Sequence, residues 1–470
     1  MNSLVILAGA TLAASITSAR IDFRRAIDQE SKANRGFPRG IVLVVLTGAL
    51  GFCGVVSGAE APLTLAEAQR RAIERSLQIP AQDAAVAASR DMAVAAGQLP
   101  DPVLKLGIDN LPIDGPDQFS VGRDFMTMRR IGVMQEFTRS EKRQLRAQRF
   151  ARQAEKSLAE KTATIASIQR DTALAWLDRY YAEATAAVIT EQASEVKLEI
   201  VAAESAYRAG RGSQADVFAA HSTLAALDDR ASEFNRRVST AKTVLARWVG
   251  ESAGAPLEGK PAFDSIRLDT SALDADLAHH PQISVLRKQE EIASTEARIA
   301  QADKKADWSV EVTYSQRGSS FSNMVSVGVS IPLQWDQRNR QDRELASKLA
   351  MADQAKAERE EALRAHIGEV RAMVAEWENG RERLTRYERQ LIPLAKERTK
   401  ASFAAYRGGK TSLTDLLLAR RNEIDMRIQA LQLEMETARL WAQLNFLFPV
   451  ERNAPHASSP STAASTKESK

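Results

Sequence analysis

The order of apolar and polar positions divides the chain into long helical stretches and a few short alternating segments. The clearest alternation lies in residues 324–333, where Val325, Val327, Val329 and Ile331 are separated mainly by serine and glycine. A period of two predicts a strand with one apolar face and one face of small polar residues. Three other segments have strand character, namely residues 102–109, 128–137 and 308–316.

Two of the helical stretches are very long. Residues 138–209 and 336–407 each run for about 72 positions without a strong break, which predicts helices of roughly 100 Å. In the second of them, apolar positions recur at alternating spacings of three and four, the pattern of a coiled-coil seam. Trp377 and Tyr387 occupy seam positions and are interpreted as core packing, and Pro393 predicts a kink. The seam consists of Val370, Met373, Trp377, Gly380, Leu384, Tyr387, Leu391 and Leu394.

An internal duplication relates the two halves of the chain. Residues 206–220 (AYRAGRGSQADVFAA) align without a gap to residues 405–419 (AYRGGKTSLTDLLLA). Each half is predicted to contain an Ala-rich helix, two strands, a long helix, a glycine-containing turn and a return helix of about 35 residues. The predicted repeats are residues 60–255 and 256–450.

The two ends of the chain differ from this pattern. Residues 41–56 form an apolar run with basic residues before it and small residues after it, which predicts a signal peptide within residues 1–59, including extra upstream residues. A membrane anchor is the alternative, although the run is shorter than the ~20 residues that span a bilayer. Cys53 is a weak candidate for lipidation, because Phe52 precedes it. Residues 451–470 are predicted to be a disordered tail.

Composition excludes several classes of function. Glycine and proline together make 38 of 470 residues (23 and 15), so turns are scarce. A net charge of +4 argues against a nucleic-acid-binding protein, and a single cysteine excludes a disulfide framework. The five histidines show no metal-ligand spacing, and His279 and His280 are interpreted as a surface turn. The sequence thus offers no motif for a catalytic residue, a cofactor or a metal site.

Four strands per chain pose a physical problem. They cannot close a barrel, and open strand edges are not tolerated in lipid. Three chains would supply twelve strands, and Trp308, Tyr314 and Trp335 lie near strand ends, where an aromatic girdle is expected. The predicted fold class is mostly α, with long coiled-coil hairpins and four strands that contribute to a trimeric 12-stranded transmembrane β-barrel. The alternative is a soluble β-hairpin packed on a helical rod.

This combination resembles the TolC-like outer-membrane efflux proteins over residues 62–450. The resemblance rests on the duplicated element order and on the turns YRAGRGSQADV and YRGGKTSLTDL. Residues 99–112 and 123–137 are similar to the heavy-metal branch, the CzcC-like and CusC-like channels.

The resemblance implies a homotrimeric tube whose β-barrel lies in outer-membrane lipid and whose α-barrel extends into the periplasm. A periplasmic adaptor would join it to an inner-membrane pump of the resistance-nodulation-division (RND) class. The implied function is passive export of heavy-metal cations, without enzymatic activity. A drug-efflux or type I secretion duct is the alternative within this class, and a periplasmic coiled-coil scaffold or adaptor is the alternative outside it.

The resemblance also points to the two tip turns, where such channels meet the adaptor and close the pore. By position, the gate residues are Asp216, Tyr406 and Asp415, while Thr411 and Leu418 stand where the family has an arginine and a second aspartate. Three copies of Asp415 would form a carboxylate ring, although both aspartates also suit a helix N-terminus. The turn residues serve either adaptor docking or chain reversal alone, and they are Arg208, Gly210, Gly212, Ser213, Arg407, Gly409 and Ser412.

A group of methionines suggests a site for a soft metal ion. Met126, Met128 and Met134 carry thioethers, which bind Cu(I). Because strand geometry spreads these side chains, a metal site is not favoured here.

Overall fold

The computed structural model describes residues 61–450. The predicted signal peptide, the candidate lipidation at Cys53 and the predicted C-terminal tail lie outside these residues. The predicted fold class is confirmed, since the described chain is mostly helical with one small sheet. Its helices are α1 Leu65–Arg75, α2 Gln78–Ala96, α3 Ser140–Arg208, α4 Gln214–Val249, α5 Leu273–Leu277, α6 Pro281–Asp303, α7 Gln341–Arg386, α8 Ile392–Arg407 and α9 Leu413–Asn445.

The four strands form one antiparallel sheet in chain order. They are β1 Val103–Asp109, β2 Met128–Phe137, β3 Trp308–Gln316 and β4 Met324–Ser330. β2 and β3 have the predicted bounds, whereas β4 ends three residues before the predicted end. Pro332 explains the difference, because proline has no N–H to extend a strand ladder. β1 and β4 are the edges of the sheet, and within residues 61–450 each of them pairs with one strand only.

The strand register sorts the side chains into two faces. Leu106 lies opposite Ile131, which lies opposite Tyr314, which lies opposite Val325, so that one face is apolar across all four strands. The other face carries small and polar residues, and Lys105 forms an ion pair of 2.5 Å with Glu311 there. The apolar face is exposed, with Leu106 at 70% and Val327 at 69% exposure.

The long helices differ between the two halves. α3 is continuous over 69 residues, as predicted. The second long helix is divided into α7 and α8 by a π-helical turn at Tyr387–Leu391, and Pro393 lies in the first turn of α8. The predicted Ala-rich helices are also divided, the first at Ser76, whose backbone is extended, and the second before Pro281.

The π-helical turn limits the coiled-coil seam. Val370, Trp377 and Leu384 are buried as predicted, whereas Leu394, beyond the turn, is 67% exposed. A π turn holds more residues than an α turn and therefore rotates the following side chains away from the seam. Trp377 is a core residue, and its indole N–H donates to the Phe263 carbonyl at 3.0 Å.

A central belt of loop segments is fixed to the helices by long-range hydrogen bonds. The indole N–H of Trp176 donates to the Leu63 carbonyl at 3.1 Å, and that of Trp441 donates to the Ser265 carbonyl at 3.0 Å. The guanidinium of Arg179, almost fully buried, donates to the carbonyls of Ala253 and Ala255 at 2.7 and 2.8 Å. These contacts tie the segments before α1 and between α4 and α5 to the largest apolar core.

Candidate functional site: the tips of the helical hairpins

The two predicted tip turns have the same backbone geometry. After α3, Gly210 N–H donates to the Tyr207 carbonyl and Arg211 N–H donates to the Ala206 carbonyl, both at 2.9 Å. These two bonds define a Schellman motif, which requires a left-handed residue that Gly210 supplies with φ of 75°. After α8, Gly409 takes the same place with φ of 67°.

The second tip repeats these hydrogen bonds. Gly409 N–H donates to the Tyr406 carbonyl at 3.0 Å, and Lys410 N–H donates to the Ala405 carbonyl at 2.9 Å. Gly212 and Gly408 do not have positive φ, so a single glycine supplies the left-handed residue at each tip. Gly212 serves the first turn differently, since an added Cβ would lie 3.3 Å from Ala206 Cβ and from Tyr207 N.

Each return helix begins with a complete capping box. Asp216 N–H donates to Ser213 Oγ at 3.1 Å, while the Ser213 hydroxyl and N–H donate to Asp216 Oδ2 at 2.8 and 3.0 Å. Ser412 and Asp415 form the same arrangement at the second tip. Both candidate gate aspartates therefore occupy the third position of a helix and stabilise its N-terminus.

The Asp415 carboxylate accepts one bond more than its counterpart. Thr411, at the position of the family's arginine, donates its hydroxyl to Asp415 Oδ2 at 3.0 Å. The hydroxyls of Ser412 and Thr411 together hold the pKa of this carboxyl below its usual value, so the exposed Asp415 keeps its negative charge at neutral pH.

Tyr406 and Asp216 come from different hairpins and lie close enough to interact electrostatically. Burial and then the Asp216 charge raise the pKa of the Tyr406 hydroxyl. Within the described residues these two side chains form no hydrogen bond, and Asp216 Oδ2 is held in the capping box. Tyr406 packs instead against an apolar cluster formed by α3, α4 and α9.

The tips also present basic side chains. Arg208 reaches Glu204 at 3.4 Å, and the Arg407 guanidinium lies 5.9 Å from the Phe403 ring centroid. In the part of the chain that the structure describes, Arg407, Arg211 and Lys410 have no carboxylate within 4 Å. The tips are thus exposed and positively charged around two capped carboxylates.

The candidate methionines do not come together. Met128 and Met134 point to the same face of β2, but six residues of strand separate them by roughly 20 Å. Distance along the strand, rather than alternation of faces, keeps them apart. Among residues 61–450, no group of three or more His, Cys, Asp or Glu side chains is arranged to hold a metal ion.

One histidine was misinterpreted from the sequence. His280 is buried, with 6% exposure, and its ring lies 4.3 Å from that of His366 between centroids. It caps α6, since Nδ1 accepts from Gln282 N–H at 3.3 Å. In the sequence, His280 before Pro281 indicated the start of a helix. The neighbouring residues gave no sign that His366 of α7 would cover the His280 ring.

None of the helices between residues 61 and 450 combines the length and the apolar composition needed to cross a bilayer. Residues 272–448, most of the second predicted repeat, match the family model described as outer membrane efflux protein. No curated protein sequence is significantly similar to the chain.

Solved structures match a larger part of the chain than the family model does. The outer-membrane channel OprN is 18% identical with a TM-score of 0.69, and the match covers 82% of this chain and 90% of that one. The outer membrane protein VceC from Vibrio cholerae is 18% identical with a TM-score of 0.68, covering 82% and 95%. CusC is 14% identical with a TM-score of 0.70, covering 82% and 92%. The chain thus has the fold of these outer-membrane channels over most of its length, and its second half matches the outer membrane efflux protein family.

Proposed function

We propose that this channel is the outer-membrane component of a tripartite RND-type system and passively conducts heavy-metal cations from pump and adaptor to the exterior. The observation that carries the proposal is the tip geometry. An exposed carboxylate at the second tip, Asp415, accepts from the Thr411 hydroxyl and from the hydroxyl and N–H of Ser412, and it stays ionised. Repeated by the threefold symmetry typical of the family, it would form a ring that favours cations at the pore entrance.

The proposed gate combines this ring with a contact inside each protomer. Tyr406 of the second hairpin contacts the first hairpin through the shared apolar cluster, with the Asp216 carboxylate nearby. Opening the pore would separate the hairpins and remove this contact. Thr411 supports Asp415 in place of the family's arginine, so closure relies on fewer charged contacts.

The tips are also the proposed docking surface for the periplasmic adaptor. Arg407, Arg211 and Lys410 are available for contacts to another chain, because no carboxylate among the described residues pairs with them. The left-handed glycines keep the reversal compact, which lets these side chains project from the end of the hairpin.

The repeat boundaries support the same assembly. We propose that residues 60–255 and 256–450 are two copies of one unit, because strands, long helical segments and capped tips recur in the same order. The two halves would then alternate around a threefold axis.

The pore proposal is tested by planar-bilayer recording of the full-length channel. Asp415→Asn keeps an oxygen acceptor for the cap and removes the charge, so we expect higher conductance through the constriction and lower cation selectivity. Asp216→Asn is the comparison variant, because it removes the same charge from the same capping box at the first tip, outside the proposed Asp415 ring. Unchanged selectivity in Asp415→Asn would contradict the proposed carboxylate ring.

The cargo is tested in cells that lack the gene and carry either the wild-type or the Asp415→Asn channel. We expect the deletion to lower tolerance to copper, silver, zinc, cobalt or cadmium, and the wild-type gene to restore it. A loss of tolerance to drugs alone would instead identify a drug-efflux duct.

A further inference from the structure

A group of charged side chains between α3 and α9, below the tips, has more acids than bases. Arg420 of α9 contacts three glutamates at once. Its Nε donates to Glu199 Oε1 at 3.1 Å, and its Nη1 contacts Glu195 and lies 3.5 Å from Glu423. One guanidinium therefore faces three carboxyl groups.

Most of this group is removed from solvent. The Glu199 side chain is 2% exposed and that of Glu423 is 7% exposed. Glu199 Oε2 is buried without a hydrogen-bond partner, and the Arg420 contacts to Glu195 and Glu423 lack hydrogen-bond geometry at the Oε2 atoms. Three buried or half-buried carboxylates with one guanidinium leave charge that burial penalises strongly.

Gln192, which lies near this group along α3, also has polar atoms without hydrogen-bond partners. Gln192 is fully buried on α3, one turn before Glu195 on the same helix face, and neither of its amide atoms has a hydrogen-bond partner. Buried amides are normally satisfied, so Gln192 Oε1 lacks a donor and Gln192 Nε2 lacks an acceptor. A protonated carboxyl group supplies one donor and removes one charge.

The surrounding charges do not neutralise Glu199. About two turns after Arg420, Arg427 forms an ion pair with Glu191 at 2.7 Å. The charge of Lys396 on α8 also lowers the pKa of Glu191. The α4 helix contributes Arg230, which pairs with Asp425 at 3.2 Å, and His221, which lies 3.9 Å from Glu204. Burial is the main reason that the pKa of Glu199 is raised, and it outweighs the Arg420 charge.

We propose that the contact between α3 and α9 is a proton-binding site, in which Glu199 takes up one proton beside Glu195, Glu423 and Arg420. The proton joins the two hairpins of a protomer, and its loss in alkaline medium leaves repelling carboxylates across the contact. The hairpins are therefore held together more firmly in acid. This inference concerns the stability of the hairpin pair and is independent of the cargo.

The direction of the pH effect follows from linkage. A carboxyl whose pKa is higher in the folded than in the unfolded chain binds its proton more tightly when folded. Its contribution to stability is present near pH 4.5 and declines as the pH rises through the folded-state pKa. Glu199→Gln imitates the protonated form permanently.

The experiment measures thermal unfolding of the full-length protein in detergent at pH 5 and pH 8. We expect Glu199→Gln to raise Tm at pH 8 by about 2 °C or more and to change it little at pH 5. Glu191→Gln is the matched control on the same helix, because its carboxylate has a partner of its own and a lowered pKa. That control should lose stability slightly at both pH values.

A second variant distinguishes a charge effect from a local packing defect at Glu199. Glu423→Gln removes another carboxylate of the cluster and should also gain stability at pH 8. A loss of Tm in both variants at both pH values would overturn the proposal and make the cluster an ordinary ion network. A wild-type Tm that responds to EDTA or Mg²⁺ but not to pH would overturn it in favour of a bound cation.

Discussion

At the second tip, two adjacent glycines have different roles that the sequence alone does not distinguish. Gly409 is left-handed with φ of 67°, whereas Gly408 has an ordinary φ of −80°. A Cβ added to Gly408 would meet its nearest atom at 3.5 Å, which is ordinary contact. The Schellman motif therefore depends on Gly409.

We expect Gly409→Ala to destabilise the tip by about 1 kcal/mol, because an L-residue pays that cost in the left-handed region. Gly408→Ala should be neutral or slightly stabilising, since it restricts the unfolded chain. The rate of protease cleavage at the tip measures both effects. Equal cleavage rates in the two variants would show that the turn does not need left-handed geometry.

His280 should make stability depend on pH. Burial, and then the charge of His366, lower its pKa to about 4 from 6.5. A histidine with a depressed folded-state pKa favours the neutral form, so its contribution is complete above pH 6.5 and declines as the pH falls towards 4. The loss is at most about 3 kcal/mol. Thermal unfolding between pH 7 and pH 4 measures it.

The control for this effect is His280→Asn. Asparagine can cap α6 as His280 does, but it does not titrate in this range. The slope of Tm against pH should become shallower in the variant. A slope equal to that of wild type would assign the acid sensitivity to other groups.

Some residue roles were accessible from the sequence and others were not. The sequence places Asp216 and Asp415 at helix N-termini, as the structure has them, because a capping box uses residues only three positions apart. The Glu199 and Arg420 contact joins residues 221 positions apart. No local pattern specifies such a pair, since it depends on how two helices from different hairpins are aligned.

At the scale of elements, the glycine in the coiled-coil seam marks a close helix contact. A Cβ built on Gly380 of α7 would collide with Oγ1 of Thr437 on α9. The Thr437 hydroxyl is buried and donates to the Leu433 carbonyl at 2.7 Å, so it has little freedom to move. The seam is interrupted here because the two helices approach each other closely.

Gly380→Ala should therefore lower stability by about 1–3 kcal/mol, the usual cost of overpacking. Thermal unfolding monitored by circular dichroism measures the loss, and the double variant with Thr437→Ala should recover part of it. Gly368→Ala is the matched control on the same helix, because no atom lies within 4 Å of its added Cβ. Equal effects at the two glycines would refute the close contact.

Element prediction succeeded where a period was complete and failed where the chain changes direction within a helical pattern. The bounds of β2 and β3 were predicted because alternation persists along both segments. The π-helical turn before Pro393 was missed, although the proline indicated a disturbance. Helix registers respond to packing with neighbouring helices, which periodicity in one segment does not describe.

At the scale of the whole molecule, the chain has the fold of outer-membrane efflux channels. The central belt of tryptophan and Arg179 contacts fixes the linker between the two halves, and all four strands join one sheet. The belt was not predicted, because its donors are side chains and its acceptors are loop carbonyls distant in sequence.

The sheet edges make a further prediction about assembly. Within one chain, β1 and β4 each have one neighbour, so three chains would join β1 of one copy to β4 of the next. Leu106 and Val327 lie on the same apolar face and belong to these two edges. We expect paired cysteines at Leu106 and at Val325, Val327 or Val329 to form disulfide-linked trimers, in a background that replaces Cys53.

One of the three pairs should react best, because a disulfide needs Cα atoms within about 7 Å and the register between chains selects a single opposite residue. Non-reducing electrophoresis of membranes measures the cross-linked species. The control pairs Gly107 with the same β4 positions, since residue 107 points to the opposite face of the sheet. Efficient cross-linking by the control, or only monomers for all three pairs, would show that the edges do not meet in the expected register. A ladder that stops at three chains would instead establish a closed ring, in which no strand edge remains exposed to lipid.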